Sequence, residues 1–162
     1  MKNVIKRMAL ISALLMVALV NGYAQESTQV KKTVEEIVKK YDGTKGVECI
    51  SLVKGGGLDM VKMMFRKQFG KDFMKGVTSI TIIEYGDASE ETCLALRKDL
   101  DAFVSLLEEF NLGEDKKSAN NDYVRCFASV SSETATLSDF VFALEDEETK
   151  MVMYMAGVMK IE

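Results

Sequence analysis

Apolar residues recur at helical spacing from Val30, through Val34, Ile37 and Val38, to Tyr41. Lys31, Lys32, Glu35, Glu36, Lys39 and Lys40 fill the opposite side. The spacing predicts an amphipathic helix, stopped by Asp42-Gly43. Val47 to Val53 reads as a strand, broken by Gly55-Gly56-Gly57. A second helix is expected from about Leu58 to Met74, with Leu58, Val61, Met64, Phe65, Phe69 and Phe73 as its apolar set. Met60 and Met63 widen that stripe toward the core. The β-branched run Thr78 to Tyr85 predicts a buried strand. Asp87 and Glu90 suggest a capping box. The helix they open would carry Cys93, Leu96, Leu100, Phe103, Leu107 and Phe110 on one face as far as Gly113.

After a polar loop from Glu114 to Asp122, three strands are expected: about Tyr123 to Val130, Leu137 to Leu144 and Lys150 to Val158. Their short links, Ser131-Ser132-Glu133 and Glu145 to Glu148, join antiparallel neighbours. The expected fold is α+β and two-layer. A mainly antiparallel five-stranded sheet ends in a three-strand meander, with the helices packed on one face. Strand order is not readable from the pattern.

The N-terminal stretch has a different grammar. Lys2, Lys6 and Arg7 precede an uncharged run from Met8 to Val20, followed by Gly22-Tyr23-Ala24. That order is the mark of a secretory signal peptide cleaved after Ala24. The run is shorter than the roughly 20 residues that span a bilayer. The expectation is residues 1–24 as signal and residues 25–162 as one α+β domain, periplasmic or secreted. Of the 21 basic residues three precede the cut, which leaves 18 against 25 acidic and a net charge of −7. Such a chain is ill-suited to nucleic acid. Hydrophobic residues make up 48% of the chain, which argues against disorder.

The chain contains no histidine. That excludes Ser-His-Asp and Cys-His catalysis and any His-ligated metal site. Cys49, Cys93 and Cys126 are far apart, with no C-x-x-C pair. They read as small buried apolar residues rather than as a disulfide, although spacing alone does not decide pairing. The glycine run lacks the Gly-Lys-Ser/Thr of a phosphate loop and the third glycine of a dinucleotide turn. Met151, Met153, Met155 and Met159 share one face of the last strand, and with Met60, Met63, Met64 and Met74 they read as core rather than as a copper site. The acidic link Glu145-Asp146-Glu147-Glu148 lacks a calcium-loop pattern and reads as a solvated turn. No metal or cofactor is expected.

One cluster stands out by charge. Lys62 and Arg66 are four apart, as are Lys67, Lys71 and Lys75, a positive face on an acidic chain. It suits an anionic surface or an acidic envelope partner. The leading expectation is therefore a non-catalytic exported protein that works by binding. A carrier with a Met- and Phe-lined pocket is the second reading. A glycan hydrolase using a carboxylate pair, for which Glu48 and Glu84 are examples, is the third.

Three stretches carry a family likeness: Lys39-Lys40-Tyr41 through Gly46-Val47, Ser79 to Glu84, and the meander. In the meander, Val141-Phe142-Ala143-Leu144 is followed by acidic residues, then Met151 to Met155 and Gly157-Val158. On these the chain resembles domain-of-unknown-function family 4252, small exported proteins of gut Bacteroidetes, from about Val34 to Ile161. The resemblance implies an exported α+β domain and brings no activity or catalytic residue with it. Many members look lipid-anchored, which needs a cysteine at the cleavage point; no cysteine precedes Cys49 here.

Overall fold

The computed structural model describes residues 27–53, 55–110, 123–131, 134–145 and 149–160. The elements run α1 (Ser27–Tyr41), β1 (Glu48–Leu52), α2 (Gly56–Phe69), α3 (Lys71–Gly76), β2 (Val77–Glu84), α4 (Glu90–Val104), β3 (Glu108–Phe110), β4 (Tyr123–Ser131), β5 (Thr136–Glu145) and β6 (Lys150–Lys160). The six strands form one sheet in the order β1-β2-β6-β5-β4-β3, with every pairing antiparallel. The α+β class and the meander match expectation. The expected sheet of five strands is corrected to six, because residues 108–110 pair with β4 instead of continuing the third helix.

The single layer of helices is also corrected. Side chains alternate along β6: Met153, Met155 and Met159 join one apolar cluster, Val152, Tyr154 and Ala156 another. A strand points successive side chains to opposite faces. The first cluster takes in Leu58 of α2 and Phe73 and Met74 of α3. The second takes in Val30, Val34 and Ile37 of α1 with Cys93, Leu96, Leu100 and Phe103 of α4. Helices therefore cover both faces, and the sheet is the middle layer of three. This explains why β5 and β6 are apolar almost throughout: a strand buried on both sides has no solvent face to keep polar.

Two helices end where the sequence pattern did not show it. The stretch expected as one helix over 58–74 is two, because Gly70 adopts φ 84° and ψ 161°. That backbone is open to glycine and costly for other residues. α4 begins two residues later than a cap at Asp87 would set. Its N-cap is Ser89, whose Oγ accepts a hydrogen bond from the Thr92 N–H at 3.2 Å. It stops at Val104, leaving Leu107 and Phe110 outside the helix. Where α3 runs into β2 the backbone passes very close to β6. A Cβ at Gly76 would collide with the Val158 carbonyl, and one at Gly157 with the Gly76 carbonyl.

Candidate functional site

The described residues offer a cleft, a buried polar pair and an exposed helix face. The cleft, about 50 Å³, lies between α4 and the sheet. Its apolar floor is Leu100, Val104, Phe127, Ala143 and Val152. Arg97 sits on α4 beside the buried Leu96 and Leu100, so its side chain runs along the flank of the helix to the end of β5. There Nε and Nη2 donate to the two carboxylate oxygens of Glu145, both at 2.8 Å. The buried Tyr85 hydroxyl donates to the same carboxylate at 2.5 Å. Burial, reinforced by the Glu145 charge, drives the Tyr85 hydroxyl far above its ordinary range, so it stays protonated. Hydrogen bonding to Glu145 likewise strengthens the proton affinity of Arg97.

The other wall holds Arg125, which stacks over the Phe127 ring at 4.6 Å and donates to Glu109 at 2.7 and 3.2 Å and to Asp101 at 3.4 Å. Each guanidinium thus faces carboxylates that neutralise it. Bidentate pairs of this kind fix geometry. The cleft has a volume that suits a few water molecules. It acts as a clasp that ties α4 to β3, β4 and β5. Glu145, expected as part of a solvated turn, is instead one half of this clasp; residues 146–148 lie outside the described residues.

Asp139 is the buried polar outlier, 1% exposed, at φ 54° in a bulge of β5 between Ser138 and Phe140. Its Oδ1 accepts from the Tyr154 hydroxyl at 2.6 Å, while Oδ2 has no partner. Burial raises the Asp139 carboxyl above its ordinary range, against the pull of hydrogen bonds from Tyr154 and Ser138. A third polar tie joins the two helices of this face. Lys40 Nζ and the Tyr41 hydroxyl both donate to Asp99 Oδ2, at 2.6 and 2.8 Å. The Lys40 hydrogen bond holds the Asp99 carboxyl below its ordinary range.

The residues singled out from sequence fall as follows. Lys62 and Arg66 lie on α2, and Lys71 and Lys75 on α3, with Lys62 half-buried and the others exposed. Lys67 also belongs to α2, but its side chain lies outside the described residues. The break at Gly70 severs the four-residue spacing from Lys67 to Lys71, so the five do not form one helical row. No ion pair to Lys62, Arg66, Lys71 or Lys75 occurs among the described residues. Glu48 and Glu84 turn out to be direct register partners across β1 and β2. Both are exposed, and neither lines either of the two clefts.

The methionines divide. Met74, Met153, Met155 and Met159 are buried in the α2–α3 face as expected, and Met151 is half-buried against it. Met60, Met63 and Met64, expected in the core, are 55%, 69% and 67% exposed. The helical period explains the error: Leu58, Val61 and Phe65 already turn one side of α2 to the sheet. Met60, Met63 and Met64 form their own i, i+3, i+4 set on the far side. Gly55 is the N-cap of α2, and Gly56 and Gly57 form its first two residues.

All three cysteines are free thiols. Burial, with Glu109 nearby, pushes the Cys126 thiol up to about 12, and burial with Asp42 nearby raises Cys49. Thiolate chemistry is therefore disfavoured at both.

A second cavity of about 10 Å³, lined by Val34, Ile37, Thr81, Ile83 and Phe103 among others, lies under α1 and α4. A carrier for a drug-sized ligand needs several hundred Å³. No helix of the described residues is long and apolar enough to cross a membrane. No protein-family model, curated protein or solved structure matches the chain.

Proposed function

We propose that this is an exported, non-catalytic binding protein whose working surface is α2 with α3, docked against an anionic component of the bacterial envelope. One observation carries the reading: the exposed Met60, Met63 and Met64 lie opposite the core side of the same helix that bears Lys62 and Arg66. An outward apolar stripe is costly on a free surface unless something covers it. The segment 56–76 holds five cations against Asp59 and Asp72, a net of +3 on a chain of net −4. The arginines of the α4 cleft are already neutralised, whereas Lys62, Arg66, Lys71 and Lys75 have no ion pair among the described residues.

The test is cross-linking of the tagged protein in its native host. Cross-links should concentrate on residues 60–75 and fall away in the exposed-site variant Arg66→Glu/Lys71→Glu/Lys75→Glu. Cross-links unchanged by that reversal would overturn the reading.

A further inference from the structure

We infer that the target of α2 is the surface of an anionic lipid bilayer, with Met60, Met63 and Met64 entering the acyl boundary and the lysines and arginine of α2–α3 meeting the headgroups. This rests on the docking reading above and names its partner.

Several features point to lipid. Apolar exposure is concentrated: among the described residues, Ile50, Val53, Met60, Met63 and Met64 are five of the seven exposed large apolar side chains, and all fall between residues 50 and 64. α2 is 14 residues long, about 21 Å, enough to lie along an interface. A helix with an apolar stripe and basic flanks binds in the headgroup plane with its stripe about 5–10 Å deep.

The stripe also lacks the rigid aromatic anchors common in shaped protein pockets. Protein hot spots are rich in Trp, Tyr and Arg set in shaped pockets. The chain has no tryptophan, and residues 56–76 contain no tyrosine. Three unbranched thioethers adapt to any apolar neighbour, an acyl layer included. The sheet side of α2 is held by Leu58, Val61 and Phe65, so the helix can present its outer side without unfolding.

The absence of tryptophan makes the test clean. Met63→Trp in the full chain places a single reporter on the outer side of α2, and Leu94→Trp places one at an exposed site on α4. With phosphatidylglycerol vesicles, emission from the α2 reporter should shift to the blue and be quenched by brominated acyl chains, while the α4 reporter does neither. Phosphatidylcholine vesicles should give at least tenfold weaker partitioning. High salt, or Arg66→Glu/Lys71→Glu/Lys75→Glu, should weaken it similarly, since exposed charges are screened.

If the protein sediments with vesicles but the α2 reporter stays unshifted, another segment binds lipid and the inference falls. If the α2 reporter is silent and the protein does not sediment, the lipid partner falls and the in-cell cross-links decide the rest. A single protein captured from residues 60–75 would leave the docking reading standing; no capture would sink both.

Discussion

The two faces of the sheet each bury an apolar cluster and are differently held. On the α1–α4 side, polar ties lock helix to helix and helix to strand: Lys40 and Tyr41 to Asp99, Arg97 and Tyr85 to Glu145. On the α2–α3 side, among the described residues, no side-chain hydrogen bond or ion pair ties either helix to the sheet, and the contacts are apolar. Directional bonds specify one arrangement, whereas apolar contact tolerates many. The first face is a fixed scaffold. The second carries a helix with apolar residues on both sides, which is the helix suited to meeting something else.

The largest expected effects would test whether the faces really share equal apolar anchoring. Phe140 packs edge-on to Phe73 on the α3 side, and Phe103 edge-on to Tyr154 on the α4 side, with centroids 6.0 and 6.1 Å apart. Phe140→Ala and Phe103→Ala should each cost about 3–5 kcal/mol in urea unfolding. A loss confined to one of them would show that a single face carries the fold.

Next in size is Glu145→Ala, which strips Arg97 and Tyr85 of their shared acceptor. Removing a partner from a buried hydroxyl costs about 1–3 kcal/mol. The Arg97 share is smaller, because its side chain is 42% exposed and solvent screens it. A midpoint unchanged by this variant would remove the clasp from the comparison.

Asp139→Asn sharpens it through pH. Asparagine tolerates the positive φ and still accepts from Tyr154. The folded Asp139 carboxyl holds its proton more tightly than the unfolded one, so stability falls as pH rises from the unfolded value near 3.9 through the raised folded one. At neutral pH the variant should be the more stable protein, with the gain vanishing below about pH 3.9. Asp99 has the opposite sign: its tie is intact above the unfolded value and is lost as pH falls through the lowered folded one. Unfolding midpoints of the two proteins measured against pH separate these contributions; parallel curves would mean that Asp139 does not titrate as placed.

Smallest of all is Met60→Ser/Met63→Ser/Met64→Ser. Exposed sites usually move stability by no more than about 0.5 kcal/mol. The triple variant should unfold like the parent and lose docking. A drop of several kcal/mol would mean that these residues belong to the core after all.

Much of the architecture can be read from periodicity, because burial on one side of a helix leaves a repeat. Val30, Val34 and Ile37 mark α1, and the alternating methionines mark β6. The second helical layer was less visible, since the pattern shows that a helix has a buried side and not which face of the sheet it covers. The clue lay in β5, where Val141-Phe142-Ala143-Leu144 has no polar alternate. The break at Gly70 looks, in sequence, like a tolerated glycine within a helix. β3 was hidden because Leu107 and Phe110 prolong the helical spacing of α4.

The basic cluster could be read, but its methionine stripe was misassigned to the core, because a second apolar side on a helix looks like a wider first one. Arg97, Arg125, Tyr85 and Asp99 gave no local signal, since their partners lie far away in sequence. Asp139 did give one, a carboxylate directly before the five-residue apolar run Phe140 to Leu144.

The strand order sets a timetable for folding. β6 lies between β2 and β5, so the sheet's two halves meet only through the last of the described elements to leave the ribosome. Until Lys150 to Lys160 is made, β1 and β2 are a lone two-stranded ribbon, which is marginal in water. Tyr85, whose N–H donates to the Lys150 carbonyl, waits as well. A nascent chain built this way stays open until β6 is made. For a protein proposed to be threaded across a membrane, late closure keeps the chain slender enough for the passage and defers the sheet to the far side.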